Sequence, residues 1–405
     1  MVKVDTGSFL VIVLAGAVAA LVVTLAPRRF APPVVVLELV FGILIGPQVL
    51  GLAHPASFVE FFATLGLGML FFFAGYEIEF DRVRGRPLRL GVWGWAVSAV
   101  LAYAIGGLLA AAGVVLSFLY AGSALTSTAI GTLVPILRDE GELETSFGTY
   151  LLAAGAVGEL GPILLLTLVL STQNAIDRAV PLIAFIALAI VLALVSVRSA
   201  PAGWALVERS IEASSQFAVR IAALLVFGLA GLATSLGLDV VLGGFVAGMV
   251  TRLAVRGREV SVLESKLTAV GFGLFIPFFF IESGVEFNVD ALFASTDALL
   301  KLPLFLVLFL VVRGLPALLL YRGVFNTRNR LALACYCSTA LPMVVAITDV
   351  ATDDGHMLST TAAALVGAAL VSTVVFPVCG RLLRRPSKAG DAPAIPVQAP
   401  PVSAA

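Results

Sequence analysis

The sequence predicts an all-α polytopic membrane protein, and three observations carry that prediction. The 405 residues are 60% hydrophobic and only 12% charged, about half the roughly 25% charged share of a soluble domain. The apolar residues fall into thirteen runs of helix-spanning length. The basic residues gather in every second loop between those runs. Mean hydropathy is +1.08.

Crossing the hydrocarbon takes about 20 apolar residues in a helix. On that ruler spans are expected at about 8–26, 32–52, 57–77, 88–113, 117–137, 146–171, 179–198, 216–236, 238–253, 264–282, 298–321, 328–350 and 357–383. The first is a span rather than a cleaved signal, because Arg28 and Arg29 follow it at once and no small-residue cleavage site closes it. The fourth opens after the turn Gly85-Arg86-Pro87 and the twelfth closes at Asp353-Asp354-Gly355. The ninth is the shortest. Beyond the last span, 386–405 is rich in Pro and Ala and is expected to be a disordered cytoplasmic tail, leaving 1–385 as the membrane domain.

Charge placement tests the count. With the N-terminus outside, 21 of the 25 Lys and Arg residues fall on the inner side. Only Lys3, Arg178 and Lys301 fall outside, and Arg313 lies within a span. This is the positive-inside pattern, with the C-terminus in the cytoplasm. Spans seven apart then cross in opposite senses, which suits two inverted six-helix repeats about a linker helix, the seventh. Gly42-x-x-x-Gly46 in span 2 and Gly244-x-x-x-Gly248 in span 9 echo one another. Inverted repeats place substrate at their midplane interface, often at interrupted helices.

Composition excludes several classes. Lys+Arg and Asp+Glu are both 25, so no nucleic-acid partner is implied. Cys335, Cys337 and Cys379 are odd in number and lack metal-type spacing. There is no Walker-type loop for ATP-driven transport. The only histidines, His54 and His356, lie at loop edges, and no acid–base pair or Ser/His set is visible, so an enzyme is not expected. No cofactor is implied.

The chemistry gathers at mid-membrane. Glu159 stands near the centre of span 6 in Ala154-Gly155-Ala156-Val157-Gly158-Glu159-Leu160-Gly161-Pro162. A carboxylate at that depth costs about 2.5–3.5 kcal/mol on insertion scales, and by default marks an ion or proton pathway. The alternative is a carboxylate neutralised by a buried Arg for packing alone. Two segments read as interrupted helices in matching positions of the repeats: Ser123-Ala124-Leu125-Thr126-Ser127-Thr128 in span 5, and Cys335-Tyr336-Cys337-Ser338-Thr339-Ala340-Leu341-Pro342 in span 12. Hydroxyls there replace lost backbone partners or offer oxygens to a cation, and Pro342 disfavours helix just before it. Thr126, Ser127, Thr128, Ser338 and Thr339 are therefore candidate ligands beside Glu159, with ordinary Ser/Thr packing as the alternative. Arg313 is too deep to reach water and needs an anion or helix-end carbonyls; Glu159, Glu282 and Glu38 are its candidate partners. Glu38, nearer the inner end, Glu282 and Asp349, towards the outer, are secondary candidates for ion binding. Glu77, Glu79 and Asp81 read as a solvated cytoplasmic edge.

Three strings carry a family resemblance: Phe41-Gly42-Ile43-Leu44-Ile45-Gly46-Pro47-Gln48-Val49-Leu50-Gly51-Leu52, Phe72-Phe73-Ala74-Gly75-Tyr76-Glu77-Ile78 and Ala124-Leu125-Thr126-Ser127-Thr128-Ala129. The chain resembles the monovalent cation:proton antiporter-2 family, relatives of the sodium/hydrogen exchangers, over nearly its whole membrane region. The resemblance implies the sodium/proton antiporter fold, a homodimer, and a core domain with two crossed broken helices moving against a dimerisation scaffold. The core is expected at about 57–171 and 264–383 and the scaffold at about 8–52 and 179–253. Two departures stand out. The polar pair usual on the carboxylate helix is here Gly158-Glu159, and the Gly-Glu or Arg-Gly-Glu element often found on the second crossing helix is replaced by Ser338-Thr339-Ala340-Leu341-Pro342. The tail lacks the nucleotide-binding domain of the glutathione-gated potassium-efflux branch.

The expectation is exchange of protons for Na⁺ or K⁺ by alternating access in a bacterial plasma membrane, with H⁺ and the monovalent cation sharing Glu159. A sodium-coupled organic-anion symporter, or a non-transporting membrane sensor that kept the fold, are the alternatives.

Overall fold

The computed structural model describes residues 5–26, 33–78, 80–168, 180–196, 198, 215–255 and 261–384. The expected tail, 386–405, lies outside the described residues.

Apolar helices succeed one another along the chain. They are α1 (Thr6–Leu25), α2 (Val34–Ile45), α3 (Ser57–Tyr76) and α4 (Arg86–Ala111), then the pair α5 (Phe118–Leu125) and α6 (Ile130–Asp139), then α7 (Ser146–Leu168). After α8 (Val180–Ser196) come α9 (Phe217–Ser235), α10 (Val240–Ala254), α11 (Ser261–Val285) and α12 (Thr296–Leu320). The pair α13 (Thr327–Cys337) and α14 (Pro342–Asp353) precedes the last helix, α15 (Ser359–Leu383). Among the described residues nine helices are long and apolar enough to cross a membrane, and four apolar helices are shorter: Val34–Ile45, Phe118–Val134, Val180–Ser196 and Val240–Ala254. The expected spans overlap these helices, of which nine reach spanning length. Leu10, Leu14, Leu21 and Leu25 on α1, and Val180, Ile183 and Ile190 on α8, point outward. Such surfaces belong in lipid, where an apolar face needs no partner.

Glycine sets the closest helix approaches, and it does so twice in the same way. On α2, a Cβ on Gly42 would strike the Ile281 carbonyl and Gly284 of α11, and one on Gly46 would crowd Val285. On α10, Gly244 abuts the Gly68 carbonyl of α3 and Gly248 the Phe72 carbonyl. The sequence echo is therefore a matched pair of crossings, in which the second helix of each repeat packs on the third helix of the other. Backbones that close exclude lipid and gain dispersion contact along the whole crossing.

These crossings bear on the expected domain division. Among the described residues the α3–α10 packing is the most extensive, and the α2–α11 packing is also large. A boundary that places 57–76 and 264–282 in the core cuts through both. The packing joins α3 to α10 and α11 to α2 across that boundary.

The two ends of the bundle differ in charge. At one end Arg82 pairs with Glu144 at 3.3 Å, Arg252 with Glu264 at 3.2 Å and Arg381 with Glu140 at 3.8 Å. Arg384 grips Glu142 through two bonds of 2.9 Å, and Arg86 donates to the Gly323 carbonyl at 3.1 Å. At the other end Tyr120 donates to Asp354 at 3.1 Å, and the Asp290 N–H donates to Gln48 at 3.0 Å. Loops that charge alone assigned to one side thus meet at one end.

Candidate functional site

Two helix breaks meet at the centre. The first runs over Thr126–Ala129, between α5 and α6; the second over Ser338–Leu341, between α13 and α14. The Ala129 N–H donates to the Thr339 carbonyl at 2.8 Å, and the Thr128 hydroxyl donates to the Cys337 carbonyl at 2.5 Å. The crossing thus satisfies part of the backbone that each break leaves open, as a dry site demands. Ser372 of α15 completes the second break: its hydroxyl accepts from the Ala340 N–H at 3.1 Å. Pro342 stands in the first turn of α14, where a missing N–H costs nothing.

The expected hydroxyls all lie buried in these breaks. Thr126 donates to the Ser123 carbonyl at 2.8 Å, Ser127 to Ala124 at 2.9 Å and Ser338 to Ala334 at 2.7 Å; Thr339 faces Cys335 at 3.5 Å. Each returns its proton to the last turn of its own helix, so its oxygen lone pairs face elsewhere. Such oxygens can accept, or coordinate, but have no proton left to give.

Glu159 of α7 is 3% exposed and sits against the first break. The Gly158 carbonyl accepts from the Thr128 N–H at 3.0 Å, and the Ile130 N–H, at the start of α6, donates to the Thr128 carbonyl at 3.1 Å and lies beside the Glu159 carboxylate. Its Oε2 is enclosed without a hydrogen-bond partner among the described residues. A buried acceptor in that state either carries a proton or takes a cation.

Arg313 is 4% exposed, and among the described residues no carboxylate pairs with it. Its Nε donates to Thr128 at 2.9 Å, one terminal nitrogen to Ser98 of α4 at 3.3 Å, and the other to the Ala154 carbonyl of α7 at 3.3 Å. Neutral acceptors on three segments hold the fork, and Glu159, Glu282 and Glu38 are not among them. The departure at Gly158 has the same cause: a Cβ there would run into the guanidinium and the Thr128 hydroxyl. The position ahead of the carboxylate is bare because arginine fills its space.

The secondary candidates stand apart from this centre. Glu38 is buried on α2 with one oxygen unpartnered, and Glu282 is buried on α11 with both unpartnered. Asp349 is exposed towards the end of α14. Glu77, expected at a solvated edge, is half-buried: among the described residues one of its oxygens is enclosed without a partner, and the side chain lines a cavity of about 1660 Å³. That cavity opens at the basic end. Its walls are Val34, Leu70, Phe73 and Phe272 on one side and Thr132, Leu152 and Thr373 on the other.

Crossed broken helices, an enclosed carboxylate and a one-sided cavity together make up the candidate site. The archaeal sodium proton antiporter MjNhaP1 of Methanocaldococcus jannaschii has the same fold, with a TM-score of 0.60 over 92% of this chain and 95% of that one, at 16% identity. The family described as "Sodium/hydrogen exchanger, transmembrane" matches residues 16–383, and the chain belongs to it. In sequence it is 26% identical over 371 residues to a Bacillus subtilis protein named "Putative Na(+)/H(+) antiporter YjbQ", covering 88% of this chain and 59% of that one. It is 27% identical over 296 residues to the Na⁺/H⁺ antiporter of Enterococcus hirae, covering 71% and 75%. The chain thus spans 59% of the first relative's length and 75% of the second's. The family is one of integral membrane transporters rather than enzymes.

Proposed function

We infer that the chain is an antiporter that exchanges protons for Na⁺ or K⁺, with Glu159 as the carboxylate that both share. The observation that carries this is the unpartnered Glu159 oxygen beside two crossed helix breaks. A carboxylate closed off from water is costly when charged and empty; a proton or a cation neutralises it. Either load lets the site move and an empty site stalls, which yields exchange without a separate lock. Ser127, Thr126 and Thr128 on the first break, and Ser338 and Thr339 on the second, supply oxygens to the dehydrated ion. With one carboxylate the simplest cycle moves one proton against one cation and no net charge.

Alternating access is a shift of α4–α7 with α12–α15 against a scaffold of α1–α3 and α9–α11. The glycine crossings support this division, because they bind α3 to α10 and α11 to α2. The cavity runs between the two groups and represents the state open to the basic end. Arg313 is a fixed post of the moving unit. It ties α12 to α4, α7 and the first break, and the C-terminal end of α13 beside it offsets its charge. We place the basic end in the cytoplasm of a bacterial plasma membrane, the N-terminus outside, and the protein in a homodimer.

The test is exchange in proteoliposomes. With a pH gradient imposed and Na⁺, K⁺ or Li⁺ added in turn, cation-driven proton efflux is expected from the parent and absent from Glu159→Gln. Equal exchange by the two removes Glu159 from the mechanism. Silence of the folded parent towards every cation shifts the reading to organic-solute symport or sensing.

A further inference from the structure

The cavity at the basic end stops short of Glu159, which is not among its lining residues. Four acidic side chains do line it: Glu77, Glu140, Glu144 and Glu264. Three of them are occupied. Glu140 accepts from the Tyr336 hydroxyl at 3.0 Å and faces Arg381; Glu144 pairs with Arg82; Glu264 holds Arg252 and the Tyr76 hydroxyl, both at 3.2 Å. Glu77 differs, since its Oε2 is enclosed with no partner among the described residues. The groups whose charge reaches it are Glu159 and Glu264 on the acidic side and Arg138 and Arg252 on the basic side. Arg252 is already engaged with Glu264, and Arg138 is exposed.

The backbone adds to this negative potential. Glu77 caps the C-terminal end of α3, its own N–H bonded to the Phe73 carbonyl. A carboxylate at the negative end of a helix dipole is the reverse of the stabilising arrangement. It is unfavourable for folding and favourable for a cation, which would meet carboxylate and last-turn carbonyls together. Among the described residues Glu77 is thus the one carboxylate of the cavity with an enclosed, unpartnered oxygen.

We propose that Glu77 is a second monovalent-cation station, one that loads and unloads Glu159 only in the state open to the basic end. It stands on α3, in the scaffold group, whereas Glu159 rides on α7. This rests on the reading of Glu159 and of the moving unit given above. A shift of one group against the other separates the two carboxylates, so Glu77 acts from one face of the membrane.

The experiment measures Na⁺-driven proton exchange by the full chain in vesicles of known orientation, with Na⁺ varied on each face. Glu77→Gln is expected to raise the half-saturating Na⁺ concentration about five-fold at the basic face, the loss of one nearby charge in a medium of intermediate dielectric. The value at the opposite face and the maximal rate should hold, and Glu77→Asp should restore most of the loss. Equal changes at both faces, or none, overturn the proposal, as does a Glu77→Asp variant no better than Glu77→Gln. The outcomes separate from those of the main reading. An inactive Glu159→Gln with a face-independent Glu77→Gln sinks this inference alone, and a parent that moves no cation sinks both.

Discussion

At the residue scale the site is organised around one arginine and one glycine. Arg313 is buried without a carboxylate, a state that costs several kcal/mol unless every donor direction is served. The fork meets Thr128, Ser98 and the Ala154 carbonyl at 2.9–3.3 Å. Thr128 is the hinge of this arrangement, since its hydroxyl accepts from Arg313 and donates to the Cys337 carbonyl, joining both breaks to α12. Gly158 leaves room for it. Gly158→Ala is expected to push the guanidinium out of register, destabilising the protein by about 1–3 kcal/mol, the usual cost of overpacking. Exchange should fall with it, although Glu159 is untouched. Thermal unfolding in detergent beside the proteoliposome assay checks both, and a variant that melts and transports like the parent removes Arg313 from its assigned place.

These residues also mark the limits of reading a site from sequence. Glu159 and the hydroxyl runs were legible because each violates the hydropathy around it. Arg313 was legible as an anomaly but its partners were not, since they come from two helices and a helix break and one is a backbone carbonyl. The cavity beside Glu77 was not legible, because charge is expected where an apolar helix ends. Nothing local distinguishes an edge that faces water from one that faces a cavity wall.

At the scale of elements, small residues decide which helices pair. Gly248 of α10 lies on the Phe72 carbonyl of α3, while Gly107 of α4 has nothing within 4 Å of its would-be Cβ. Gly248→Ala should lower the melting temperature, by about 1–3 kcal/mol of overpacking. Gly107→Ala should hold it or raise it, because alanine favours helix by about 1 kcal/mol where nothing is crowded. Matched thermal melts distinguish the two. Equal effects would mean that the α3–α10 crossing is not a close one in the membrane. The small-xxx-small spacing was visible in the sequence, but not its partner, since the motif names a helix that is approached and leaves the approaching helix open.

At the scale of the molecule, the basic loops collect at one end and the cavity opens there. The prediction is a sidedness. With Cys379 replaced, Arg328→Cys should react with an impermeant thiol reagent only from the cytoplasmic side of sealed vesicles. Ala294→Cys, exposed at the opposite end, should react only from outside. Labelling of both from one side contradicts the orientation and the alternation of spans together. The cavity itself could not be anticipated from the chain. It is a gap between two packed groups, and its existence depends on the position that one holds against the other.

The sequence by itself determined the helical class, the placement of each span, the grouping of the basic loops and the two breaks. The reason is that a membrane helix must satisfy its backbone within its own segment, so local apolarity and local interruptions decide it. Only the tertiary structure decided that Arg313 rests on neutral oxygens, that the glycine motifs pair the repeats crosswise, and that Glu77 lines the cavity at the basic end. Those outcomes depend on side chains as far apart in sequence as Thr128 and Arg313, or Gly42 and Gly284, meeting in a dry interior. There geometry, more than composition, sets which polar groups find partners.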